Sequence, residues 1–247
     1  MKLLPQLSKA GLLGLIFAAG AALAANLPGL LADTGRPAED KARDVDRKPA
    51  EMLSFANVQA GQTVVDFMPG KGYFTRLFSL AVGDKGTVYA VNPQVLVDIR
   101  EGKPLPSIMG EPGRRNVHDI IASATSLKLP SKADLVWTSQ NYHDMHIWTG
   151  AEGIAQFNKA VFDALKPGGL YIVLDHAAAA GLDDVTMKKQ HRIDEALVKK
   201  EVTAAGFVLD SESPILRNPA DPKTASVFDP SIRGKTDQFI LRFHKPE

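Results

Sequence analysis

The residues of this chain whose types and spacing can do chemistry fall into two groups. The first is Asp66-Phe67-Met68-Pro69-Gly70-Lys71-Gly72-Tyr73. Glycines placed there let the backbone come against a ligand that a Cβ would repel, and a helix starting just beyond offers unpaired N–H groups. No Ser or Thr follows Lys71, so this is not a phosphate-cradling loop. A dinucleotide-binding turn would carry a third glycine where Phe74 and Thr75 stand.

The second group is Asn141-Tyr142-His143-Asp144, with Asp175-His176 and His191-Arg192. His143 can take a proton from a hydroxyl or amine, with Tyr142 orienting the substrate. Alternatively, Asp144 caps the next helix and His143 merely lines a pocket. Arg192 can hold a carboxylate or phosphate, or can pair with Asp194 or Glu195. His143, His146, His176 and His191 are expected on loops at one end of the fold, so Asp175, His176, His191 and Arg192 read as a substrate-binding region. A metal-dependent hydrolase using these imidazoles trails. His143-x-x-His146 on a loop is no regular ligand pattern, no nucleophile motif accompanies it, and no metal is expected.

The elements that must position these groups alternate along the chain. Residues 63–68 are a short apolar, β-rich run, and so are 87–91, 134–138 and 170–174, which predicts buried strands. Residues 72–82, 153–165 and 194–205 carry apolar residues at helical spacing. Two further strands are expected at 207–209 and 238–243. Strand–helix alternation predicts an α/β fold with a doubly wound, mostly parallel sheet, whose ligands bind outside the carboxyl ends of the strands. Phe67 and Trp137 belong to the core, and Lys71 faces solvent.

The chain has 29 Lys and Arg against 28 Asp and Glu, so no long-range field favours nucleic acid or an anionic membrane, and a small-molecule partner is the default. It has no cysteine, which excludes disulfides and a thiol nucleophile. Lys2 and Lys9 precede an uncharged run from Gly11 to Ala25 that closes on Ala22-Leu23-Ala24. This predicts a secretory signal peptide over 1–25, export to the periplasm of a two-membraned bacterium, and no stable membrane insertion after cleavage. Residues 26–51, dense in charge, read as a polar leader and a short helix with a solvated face. One domain is expected over 52–247.

The stretch from Val64 to Thr75 resembles motif I of the class I S-adenosylmethionine-dependent methyltransferases, an acid followed by Gly-x-Gly-x-Gly. Gly86 to Asn92 looks like that family's second strand, 134–138 like its fourth and 165–174 like the approach to its fifth. Residues 237–246 look like its antiparallel terminal strand. More narrowly, Pro69–Thr75, Asn141–Asp144 and Arg233–Asp237 resemble a group of exported bacterial proteins called predicted methyltransferases. The resemblance implies a Rossmann-like fold with S-adenosylmethionine as cofactor, held by Asp66, Pro69, Gly70, Gly72, Tyr73, Asn92, Thr125 and Asn141. It also implies that His143 and Tyr142 face the methyl acceptor. Met68 stands where the motif's first glycine would be, and Asn92 where the ribose-binding acid would be. A non-catalytic exported binding protein on the same frame is the alternative.

Overall fold

A computed structural model of the chain describes residues 27–123 and 125–247; the expected signal peptide lies outside the described residues. One seven-stranded sheet comprises β1 (Thr63–Phe67), β2 (Thr87–Pro93), β3 (Val117–Ala122), β4 (Ala133–Ser139), β5 (Leu165–His176), β6 (Val208–Ser213) and β7 (Gln238–His244). Its order is β3-β2-β1-β4-β5-β7-β6. The first five strands are parallel, and β7 pairs antiparallel with both β5 and β6. The chain fills one side of β1 and then crosses to β4 on the other. The winding therefore reverses between the carboxyl ends of β1 and β4, where this architecture binds ligands.

Helical turns over residues 27–32 precede α1 (Ala38–Ala42), α2 (Asp44–Arg47) and α3 (Pro49–Phe55). The later helices are α4 (Tyr73–Val82), α5 (Gln94–Ile99), α6 (Tyr142–Ala164), α7 (Asp184–Gln190) and α8 (Glu195–Ala204). Period-two alternation along the strands builds two cores, one on each face of the sheet. Val64, Trp137 and Leu174 pack with Met52 and Leu53 of α3 and Leu77 and Phe78 of α4. Val65, Phe67 and Val173 pack with Ile154, Phe157 and Val161 of α6 and with Val198 and Val202 of α8. Phe67 and Trp137 are fully buried, as expected. The same alternation aims Asp66 at the α4 face and Asp175 at the α6 face, which decides the partner each acid meets.

Three local expectations are corrected. The helix predicted over 153–165 begins at Tyr142 and bends at Gly150 (φ 66°, ψ −176°). Asn141-Tyr142-His143-Asp144 is therefore a helix start, and His143 and His146 lie on its first turns instead of a loop. Strand β3 was absent from the periodicity because His118, Asp119 and Ile121 face solvent at the sheet edge. The charged leader is only partly a solvated face, since Arg36 and Asp40 are buried against the domain.

Candidate functional site

The loop after β1 turns through left-handed backbone at Met68 (φ 54°), Gly70 (φ 58°) and Gly72 (φ 80°). For a residue with a Cβ, as at Met68, that region costs about 1–2 kcal/mol. The neighbourhood holds Met68 there. Its N–H donates to the Val91 carbonyl at 2.7 Å, and the Asn141 amide donates to the Phe67 and Met68 carbonyls, both at 3.2 Å. The Asn141 side-chain oxygen accepts from the Thr138 hydroxyl. Asn141 thus clamps the end of β4 to the strained turn after β1. The two glycines differ in their reasons. A Cβ on Gly70 would meet open space, whereas one on Gly72 would lie 2.1 Å from Ile108 Cδ1.

This turn opens on a cavity of about 710 Å³ at the reversal point, lined by Asp66, Met68, Pro69, Gly70, Tyr73, Asn141 and Asp144. Asp66 is buried and accepts a hydrogen bond from the Thr75 hydroxyl at 2.6 Å. Burial pushes its carboxyl up to about 7, against the opposing pull of Thr75 and Arg47. The leader supplies the facing wall. Tyr73 donates its hydroxyl to Asp44 at 2.7 Å, Arg36 grips the same carboxylate through both terminal nitrogens, and Arg76 bridges Asp40 and Glu111. Arg47 lies 4.7 Å over the Tyr73 ring, a cation–π contact. Among the described residues Arg47 has no carboxylate partner, and its side-chain hydrogen bond is to Gln140 at 3.3 Å. Burial and neighbouring Arg43 lower it to about 10, so it remains a cation at neutral pH.

Arg43, Arg47, Phe74, Ser139 and Gln140 also border a second cavity of about 290 Å³, walled by Leu174, His176, Leu216, Val227, Phe228 and Arg233. Composition could not flag Arg43 and Arg47, because what distinguishes them from the rest of a charge run is that the fold places both at the two cavities. His176 Nδ1 is 2.8 Å from the Thr236 hydroxyl oxygen. Burial lowers this imidazole to about 4, so it is neutral near pH 7.

The other predicted residues are placed differently from one another. Asp175, fully buried, accepts from the His143 backbone N–H at 2.9 Å and the His176 N–H at 2.7 Å, and lies 2.8 Å from His143 Nδ1. Its oxygens are spent on protein groups, so it orients His143 instead of lining a substrate pocket. Burial disfavours a charged His143, but the Asp175 and Asp144 carboxylates prevail and its pKa is raised. His143 Nε2 points toward Asp144, which also meets His191. The imidazole gathered beside His143 is therefore His191, while His146 turns toward Glu201. Tyr142, expected to orient an acceptor, is a core residue: its hydroxyl donates to Glu201 at 3.0 Å and accepts from Asn158 at 2.7 Å. Arg192, expected to hold a substrate, is fully buried in an ion pair with Asp221 at 2.8 Å. Neither cavity is lined by Asn92 or Thr125. Asn92 is buried in β2, and Thr125 borders a separate hollow with Lys128, Lys132 and Asp163 just ahead of β4.

No protein-family model matches the chain. A 127-residue stretch is 31% identical to the ubiquinone/menaquinone biosynthesis C-methyltransferase UbiE of Photorhabdus laumondii, and 32% identical to UbiE of Yersinia enterocolitica. That stretch is 50% of this chain and 46% of either relative, so the chain spans about half the length of the curated relatives it matches. Among solved structures, it resembles a SAM-dependent methyltransferase from Aquifex aeolicus with a TM-score of 0.56 and 17% identity, covering 83% of this chain and 94% of that one. The [4+2]-cyclase SpnF aligns with a TM-score of 0.55 and 16% identity, over 87% of this chain and 84% of its own. The glycopeptide N-methyltransferase MtfA, solved with sinefungin, gives 0.53 and 14%, over 82% and 87%. Identities this low speak for architecture alone, and a cyclase among the neighbours illustrates that one frame serves several chemistries. With the strand order and the antiparallel β7, they establish that the chain has the class I methyltransferase fold.

Proposed function

We propose that this protein is an S-adenosylmethionine-dependent methyltransferase for a small-molecule acceptor. The observation that carries the proposal is the Asp66–Gly72 turn, opening on a cavity at the sheet's reversal point. The cavity volume lies in the ~300–1,000 Å³ range of small-molecule sites. Its lining suits the cofactor's mixed charge, because Asp66 and Asp144 face a cation and Arg43 and Arg47 face a carboxylate, while Gly70 leaves room for close backbone approach. The sulfonium of the cofactor, when bound, supplies an activated methyl group. The protein's part is then chiefly positioning and exclusion of water.

The smaller cavity is the acceptor's place in this reading. Its walls are apolar at Phe74, Leu174, Leu216 and Val227, with guanidinium groups at Arg43, Arg47 and Arg233. An acceptor with an apolar body and an acidic group fits them. We also read the basic start and apolar run of the first 25 residues as an export signal. Among the described residues no helix is long and apolar enough to cross a membrane.

Calorimetric titration of the purified protein with S-adenosylmethionine and S-adenosylhomocysteine tests the proposal. Micromolar binding that Gly70→Asp abolishes is the expected result. Absence of heat and of thermal stabilisation at millimolar ligand would sink it. It would leave the second reading, a non-catalytic binding protein, which the substitutions at Met68 and Asn92 favour.

A further inference from the structure

His143, Asp144 and His191 come from two different elements, the first turn of α6 and the end of α7, yet their ligand-capable atoms all lie within 4.8 Å of one another. Asp144 Oδ1 is 3.5 Å from His143 Nε2 and 3.3 Å from His191 Nδ1. His143 makes a 2.8 Å contact to Asp175 through its other nitrogen, Nδ1. The convergent contacts are thus longer than the hydrogen bond beside them. The two contacts to Asp144 match what a shared cation would impose, since tetrahedral bonds of about 2.0–2.1 Å separate ligand atoms by roughly 3.3–3.4 Å, and the remaining pair lies within 4.8 Å.

We infer that His143, Asp144 and His191 form a site for one divalent transition-metal ion, of the zinc type. The independent observation is Asp175. This fully buried carboxylate takes His143 Nδ1 and its backbone N–H, leaving Nε2 to face Asp144. A carboxylate behind a ligating imidazole fixes its tautomer and raises its basicity, the usual outer partner of a metal-bound histidine. Two imidazoles and one carboxylate suit zinc and its neighbours far better than magnesium, which favours oxygen ligands. Three protein ligands leave a coordination position free, and Asp144 also lines the larger cavity. A cation held there is open to exchange and to a small oxygen ligand, the pattern of a reactive site and not of a closed structural one. Asp144 is shared with the cavity assigned to S-adenosylmethionine, so metal binding is measured without that ligand present.

The test strips the purified full-length protein, free of any affinity tag, with a chelator and titrates it with zinc chloride, manganese chloride and magnesium chloride by calorimetry. One zinc per chain with a micromolar or tighter Kd, at least 100-fold tighter than magnesium, is expected. Asp144→Asn and His191→Asn, the latter suited to the left-handed backbone at that position (φ 53°), should weaken zinc at least 100-fold. Asp175→Asn should weaken it 10–100-fold through the orientation of His143. Circular dichroism of each stripped variant confirms that the fold persists. No stoichiometric zinc at millimolar concentration, or affinity unchanged in both Asp144→Asn and His191→Asn, would overturn the site. Titration of the same metal-free protein with S-adenosylmethionine reports separately on the cofactor.

Discussion

Asp66 and His176 border the two cavities and oppose each other in how they depend on pH. Asp66 titrates near 7 in the folded chain against 3.8 for the free side chain, chiefly because burial disfavours its charge. A raised carboxyl contributes stability that is complete below pH 3.8 and lost as pH rises through 7, here on the order of 4 kcal/mol. His176 is lowered from 6.5 to about 4, so its contribution is present above pH 6.5 and is lost as pH falls toward 4. Asp66→Asn keeps an oxygen for the Thr75 hydroxyl and removes only the first dependence. Its melting temperature should equal or trail the wild type's near pH 4 and exceed it by several degrees at pH 8. Parallel profiles for the two proteins would contradict the assigned burial of Asp66. At this scale the sequence named Asp66, Gly70, Gly72 and His143 by type and spacing. It could not separate Tyr142 from its neighbour: adjacent helical residues point about 100° apart, so His143 meets Asp175 while Tyr142 enters the core.

Among the elements, the turn into α4 carries the tightest constraint. Gly72 is both left-handed and pressed against Ile108, so Gly72→Ala should destabilise the protein by about 2–4 kcal/mol, one part backbone strain and one part overlap. Adding Ile108→Ala should return only the overlap part. Denaturant unfolding of the four proteins in a double-mutant cycle measures the division, and full additivity would show that the two residues do not meet. The buried strands were legible because each is an apolar run bounded by turns. The edge strand β3 was not, since solvated His118 and Asp119 break the pattern that period-two reading relies on. The beginning of α6 was hidden in a similar way. Its first turns carry Asn141, His143, Asp144 and His146, which resemble a polar loop until the structure places their partners around them.

Over the whole molecule, the loops of residues 214–237 form much of the smaller cavity's wall, and a buried pair anchors them. Arg192 reaches Asp221 through two nitrogens and the Ala177 and Ala225 carbonyls, while Asp221 also accepts from the Lys223 and Asp237 backbone N–H groups. Arg192→Leu leaves the Asp221 charge buried without its cation and should cost about 3–5 kcal/mol, read by thermal or urea unfolding. A loss below 1 kcal/mol would mean that the pair is solvated in solution. No composition argument finds such a pair, because its members lie 29 positions apart. The arrangement of the sheet has a consequence in time. β7 follows every other strand in the chain yet lies between β5 and β6. A polypeptide delivered amino end first can therefore stack its helices and pair β1 to β5, but the seat beside β5 stays vacant until residues 238–244 arrive. Such a chain cannot close its sheet until residues 238–244 have been delivered, however early the other strands have paired.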